Sequence, residues 1–168
     1  HYLIAHAVPP HTTSLITEQV LDNFRAYYQI HCQDETKPYD GIAEMLDALR
    51  DNGYKMAIVS NKGDKAVKQL AARFFSPWIK IAVGERKDIR RKPNPDAVLQ
   101  AIKQLGSNIE ESIYVGDSEV DIATAKNAGI PCVACLWGFR DEQFLRENGA
   151  TRLIKAPKEL LSAVQKQE

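Results

Sequence analysis

The stretch Ser112-Ile113-Tyr114-Val115-Gly116-Asp117-Ser118-Glu119-Val120-Asp121 decides how the rest of the chain is read. Its apolar, β-branched run, Ile113 to Val115, stops at Gly116, carboxylates follow at Asp117 and Asp121, and an alanine-rich helical pattern begins at once. That order describes a strand delivering acid to its own carboxyl end, followed by a helix from about Glu119 to Ala128 that stops at Gly129. In open α/β sheets ligands gather at this edge, so Asp117 is a functional candidate from position alone.

Upstream, Asn94-Pro95 starts a helix with the stripe Val98, Ile102 and Leu105, ended by Gly106. Before it come a strand at Ile79–Val83, a helix opened by Asp64 (Val67, Leu70, Ala71, Phe74) and a strand at Tyr54–Val59. Asp40 is expected to cap a helix with Ile42, Met45, Leu46 and Leu49 inward, stopped by Gly53. Downstream follow a strand at Pro131–Leu136, a helix at Asp141–Asn148, a strand at Arg152–Lys155 and a helix at Lys158–Gln165. Strands separated by helices at this rhythm predict an α/β fold: a parallel, Rossmann-like sheet with helices on both faces.

The first segment reads differently. His1 to Val8 is apolar and breaks at Pro9-Pro10, leaving helix and strand both open there; Thr17 is then expected to cap a helix carrying Val20, Leu21, Phe24, Tyr27 and Tyr28. The polar run Gln33–Lys37, closed by Pro38, marks a boundary, so residues 1–37 form a helical appendage and 38–168 the α/β core.

Composition excludes several classes. Lys plus Arg and Asp plus Glu balance at 22 each, so no net field draws the chain to nucleic acid or anionic lipid. No apolar run approaches membrane-spanning length, no secretory signal pattern opens the chain, and 3 cysteines suit a reducing, cytoplasmic setting.

Three places hold polar residues of one chemical flavour. The strand ending at Val59 runs into Ser60, Asn61, Lys62 and Gly63, which offer hydroxyl, amide and backbone N–H donors at a helix N-terminus, where an anion is favoured. Lys92 is flanked by Arg91 and Pro93, and the proline biases its backbone toward an extended shape that holds the ammonium outward. Asp117 and Asp121 supply the anionic oxygen that magnesium takes. Singly, Ser60 reads first as a helix cap and Lys92 as a solvated charge, while Asp117 reads equally as an N-cap and Asp121 as a first-turn acid. Jointly they fit one ligand, phosphate with magnesium.

The residues Val59-Ser60-Asn61-Lys62, Arg90 to Pro95 and Val115 to Gly129 resemble the second, third and fourth motifs of the haloacid dehalogenase superfamily. Within it the chain is similar to phosphoglycolate phosphatases, with Lys37 to Gly41 resembling the join where a helical cap returns to the core. The resemblance implies that residues 1–37 are the later part of the cap. It implies that Ser60 and the N–H of Asn61 bind the transferring phosphoryl group, that Lys92 neutralises phosphate and nucleophile, and that Asp117 ligates Mg2+. Asp121 would stand behind the metal or be an occasional ligand. The substrate would be a small phosphorylated metabolite, split through an aspartyl-phosphate intermediate.

The superfamily's first motif, a strand ending in D-x-D-x-T or D-x-D-x-V, has no counterpart in residues 1–168. The chain is therefore expected to be a fragment, its core lacking the first strand and its attacking aspartate, and to be inactive as written although its parent is a phosphoric monoester hydrolase. That strand sits mid-sheet in the superfamily, so the strands ending at Ser60 and Asp117 should be parted by a gap unless another strand fills it; self-association through the exposed edges is then conceivable. Alternatives are a non-catalytic remnant that binds phosphate or a protein, and a metal-free dehalogenase, against which the acids at Asp117 and Asp121 argue.

Other signals are set aside. Cys132 and Cys135 lie three apart in an apolar strand, facing opposite ways, and read as structural thiols. His1, His6, His11 and His31 show no tight pairing and no neighbouring acid, so no metal is expected there. Trp137, Gly138 and Phe139 are divided evenly between pocket lining and core, and Tyr27 and Tyr28 read as packing of the first segment.

Overall fold

A computed structural model describes residues 2–165, so a reading placed on His1 lies outside the described residues. The chain divides into two compact units, His1–Lys37 and Pro38–Glu168.

The first unit is helical. Tyr2–Ala7 (α1) resolves the open choice at the start in favour of helix, and Ser14–His31 (α2) follows. The cap of α2 is Thr13, whose hydroxyl accepts the Ile16 N–H at 3.4 Å, rather than Thr17. Thr17 lies one turn inside, buried, with its hydroxyl donating to the Thr13 carbonyl; a threonine in the first turn makes that backbone bond as readily as a cap. Ile4 and Leu21 are buried, while Tyr27 is exposed and stacks on His31, whose ring pairs with Asp34 at 2.7 Å. The neighbouring acid not expected for His31 is thus supplied by the turn after α2.

The second unit alternates strand and helix. Ile42–Asp51 (α3) precedes Ala57–Gly63 (β1), Asp64–Phe74 (α4), Ile81–Glu85 (β2), Asp96–Leu105 (α5), Tyr114–Gly116 (β3), Glu119–Ala128 (α6), Cys132–Cys135 (β4), Glu142–Glu147 (α7), Arg152–Ile154 (β5), a short 3-10 turn and Leu160–Val164 (α8). Gly106 and Gly129 end α5 and α6 in the left-handed conformation, the stop that glycine gives most easily. Asp40 does not cap α3; Gly41, with φ of 81°, occupies that position and no side chain caps the helix.

Every strand pair is parallel, but the strands form two sheets, β1-β2 and β3-β4-β5. Along β4 the side chains alternate: Val133 and Cys135 pack with Leu49 of α3 and Leu160 of α8, while Ala134 packs with Ile122 of α6 and Leu145 of α7. Helices therefore cover both faces, as a parallel sheet requires. Beneath the junction of the two sheets, Val59 of β1 packs against the cluster of Val98, Ile102, Tyr114 and Ala125. Among the described residues no strand pairs with both β1 and β3.

Candidate active site

Of the polar residues singled out by the sequence, Asn61, Lys92, Asp121 and the Asp117 backbone are joined in one hydrogen-bonded chain, whereas the Ser60 hydroxyl bonds only locally, to Lys62. Val59 pairs with Val83 and Gly63 with Glu85, so the register shifts across Ser60, Asn61 and Lys62, which form an irregular end to β1 rather than a loop. The Ser60 hydroxyl oxygen accepts the Lys62 N–H at 3.1 Å and closes a tight turn. Asp64, the first residue of α4, fixes the far side of this turn: its carboxylate accepts the Gly84 N–H at 3.0 Å and pairs with Lys68 at 2.6 Å. Burial alone would raise the Asp64 carboxyl, but the Lys68 and Gly84 bonds hold it below the ordinary value. Gly84 permits the approach, because a Cβ there would overlap the Asp64 backbone.

Lys92 is held at both ends. Its N–H donates to Asn61 Oδ1 at 2.8 Å, and its carbonyl accepts from Asn61 Nδ2 at 3.2 Å. Its ammonium lies 2.6 Å from Asp121 Oδ1 and 3.1 Å from the Tyr114 hydroxyl. Asn61 therefore contributes its side chain to Lys92, a use that a reading of donors at a strand end does not reveal.

Asp121 is buried, and both of its oxygens are engaged. Oδ1 accepts from Lys92 and from the Tyr114 hydroxyl at 3.1 Å; Oδ2 accepts from the Ser118 hydroxyl at 2.6 Å and the Asp117 N–H at 3.2 Å. Burial pushes its carboxyl upward, but the Lys92 charge and these hydrogen bonds outweigh it and keep the group below the usual carboxylate range. The same burial, with the Asp121 charge beside it, drives the Tyr114 phenol far above its ordinary value. Gly116 lets α6 close on β3, since a Cβ there would overlap the Asp121 side chain.

Asp117 is half-buried and differently placed. Its Oδ2 accepts the Phe139 N–H at 3.0 Å, while Oδ1 takes no hydrogen bond among the described residues. A Cβ at Gly138 would overlap the Asp117 carboxylate, so this glycine lets the loop after β4 close on the acid. Arg140 fastens the loop with a two-pronged bond to Glu119, 2.8 and 2.9 Å, at the start of α6. The undecided Trp137-Gly138-Phe139 segment thus divides: Trp137 packs in the core, Gly138 and the Phe139 N–H orient Asp117, and the Phe139 side chain is exposed.

The donor set fits a magnesium ion at one position. Asp117 has an open carboxylate oxygen, and magnesium typically takes one or two protein carboxylates beside water and phosphate oxygens. Asp121 already takes the Lys92 ammonium and the Tyr114 hydroxyl on Oδ1 and the Ser118 hydroxyl and Asp117 N–H on Oδ2, so its carboxylate serves Lys92 in this structure. Among the described residues no three metal-ligating side chains gather at one place. Burial raises the Cys132 and Cys135 thiols to about 11 and about 12, and both are free. No helix among the described residues is long and apolar enough to cross a membrane.

The lysine–aspartate pair and the Asp117 carboxylate thus lie near the carboxyl ends of parallel strands, the edge where α/β sheets gather ligands. The family is shown by residues 9–135, which match the model of the haloacid dehalogenase-like hydrolases: the chain belongs to that family. It is 34% identical to a phosphoglycolate phosphatase of Aquifex aeolicus over 123 residues, 73% of this chain and 58% of that enzyme. It is 34% identical to a phosphoglycolate phosphatase of Pseudomonas syringae pv. syringae over 87% of this chain and 54% of that enzyme. To the pyrophosphatase PpaX of Halalkalibacterium halodurans it is 29% identical, over 88% of this chain and 69% of that protein. The crystal structure of a candidate phosphoglycolate phosphatase from Lactobacillus delbrueckii subsp. bulgaricus superposes with a TM-score of 0.87 at 39% identity, covering 94% of this chain and 66% of that one. The chain thus spans little more than half the length of the two phosphoglycolate phosphatases that it matches.

Proposed function

We propose that this chain is the greater part of a magnesium-dependent phosphatase acting on a small phosphomonoester of the phosphoglycolate type, and that its attacking aspartate lies on a strand outside these 168 residues. The observation that carries the reading is Lys92: an ammonium fixed by Asp121 and Tyr114 at the edge where β1 and β3 adjoin without pairing. Ser60 and the N–H of Asn61 would receive the phosphoryl oxygens, and Lys92 would offset the charge shared by phosphate and nucleophile. Asp117 would hold Mg2+, which when bound screens the phosphate oxygens during in-line transfer. Transfer of the phosphoryl group to the aspartate releases the alcohol, and water then releases inorganic phosphate. On this reading His1–Lys37 is the later part of the cap, and Pro38–Glu168 is the core without its first strand.

The test is phosphate release from an aryl phosphate, phosphoglycolate and pyrophosphate, with magnesium and with chelator. The 168-residue chain and the same chain extended by the residues encoded upstream are compared. The extended chain should turn over a phosphomonoester only with magnesium, and the shorter chain should not. An extended chain that is silent on all three substrates overturns the reading in favour of a binding remnant.

A further inference from the structure

Asn61 faces two directions chemically. Its backbone N–H belongs to the strand end assigned above to the phosphoryl group, whereas its side chain turns to a residue 31 positions away in sequence. A primary amide lying against a peptide can give one donor and one acceptor at once, and Asn61 does so: Oδ1 takes the Lys92 N–H at 2.8 Å and Nδ2 gives to the Lys92 carbonyl at 3.2 Å. The pair fixes the Lys92 backbone against β1, in the two-stranded sheet.

The other end of Lys92 is fixed to the three-stranded sheet. An ammonium has three N–H donors. One goes to Asp121 Oδ1 at 2.6 Å and one to the Tyr114 hydroxyl at 3.1 Å. The third has no partner among the described residues. With backbone and ammonium both anchored, the direction of that third N–H is set by the protein rather than by a flexible four-carbon stem.

We propose that the Asn61 side chain is a positioning residue for Lys92: by clasping the Lys92 peptide it fixes the lysine between the two sheets, leaving one ammonium N–H to meet a phosphate oxygen. The phosphate part rests on the function proposed above; the clasp itself does not. The arrangement separates two roles of one residue, a backbone N–H toward the ligand and a side chain toward the lysine. Substitution of the side chain therefore acts through Lys92 alone.

Two measurements on the 168-residue chain test it. The first is amide hydrogen exchange at Lys92. Asn61→Ala should speed it by at least about tenfold, as expected for a lost hydrogen bond, with Val83 unchanged; Asn61→Asp, which keeps the acceptor, should retain most of the protection. The second is binding of inorganic phosphate with magnesium, followed by titration calorimetry in a double-mutant cycle. Asn61→Ala should weaken phosphate by roughly tenfold when Lys92 is present and by less than about twofold in Lys92→Gln. Unchanged exchange at Lys92, or equal losses in the two backgrounds, overturns the proposal. If the unsubstituted chain binds no phosphate, the cycle is run on the chain extended by the residues encoded upstream, whose failure to bind counts against the phosphatase reading instead; exchange at Lys92 decides the clasp in either case.

Discussion

Strands β4 and β1 carry similar text, Cys132-Val-Ala-Cys135 and Ala57-Ile-Val59, yet the protein treats them differently. β4 pairs on both sides, and Val133 is 0% exposed. β1 pairs on one side only, and its apolar residues remain half-buried. β3 shares that condition: Val115, an apolar residue in a parallel strand, is 38% exposed. Parallel strands are ordinarily covered on every side, so two half-covered strands that adjoin without pairing mark the place where the sheet is open. The candidate site lies along this opening, and the filled half serves as its support.

The largest effect should come from breaking the bridge between the halves. Lys92→Met leaves the buried Asp121 carboxylate without its cation and should cost about 3–5 kcal/mol in urea unfolding. Lys68→Met removes an exposed partner of Asp64 at the same 2.6 Å separation and should cost under about 1 kcal/mol. Equal losses would mean that the bridge is no more than a surface pair.

Next in size is the contrast in packing. Val133→Ala should cost about 2–3 kcal/mol and Val59→Ala about 1 kcal/mol, because only the first leaves a closed cavity. Parity would show that β1 is as well covered as β4.

Acid should expose the same asymmetry more gently. The native Asp121 carboxyl titrates below its unfolded counterpart, so its contribution is complete above about pH 4, the unfolded value, and is lost as pH falls through the lower native value. Asp121→Asn should flatten the decline in stability across that acid window, as read by urea unfolding at stepped pH. An unchanged slope would assign the decline to other carboxylates. The smallest effect belongs to Phe139→Ala. The ring is 89% exposed, so unfolding should shift by no more than about 0.5 kcal/mol, since only the backbone N–H serves Asp117.

The sequence made the fold legible where local chemistry alone decides. Gly106 and Gly129 end helices because of backbone freedom, and α6 falls where its pattern places it. Strand starts were less legible, because an apolar run reports burial and not pairing. Tyr54 and Met56 are packed in the core, yet β1 begins at Ala57, opposite Ile81. Likewise Ile79 is buried, but its N–H closes a turn on Phe75 before β2 begins.

At the site, the residue types at Ser60, Lys92, Asp117 and Asp121 stand out in the sequence; their partners do not. The Asn61–Lys92 clasp joins residues 31 apart, and nothing local in either segment announces it. Tyr114 did leave a trace, a phenol in a core strand, which must find a partner when buried; Asp121 is that partner. Gly138 was visible only as a glycine after a strand, and its use becomes plain once Asp117 lies against it.

The opening between β1 and β3 is tested most directly at one amide. Tyr114 donates to the Pro131 carbonyl beside β4, so by the alternation of a strand the Val115 N–H points to the open side. In the 168-residue chain, hydrogen exchange at Val115 should be fast while Tyr114 is protected. Extension by the upstream residues should bring Val115 to the same protection. A Val115 amide already as slow as Tyr114 in the 168-residue chain would contradict an open sheet and, with it, the proposal that a further strand completes it.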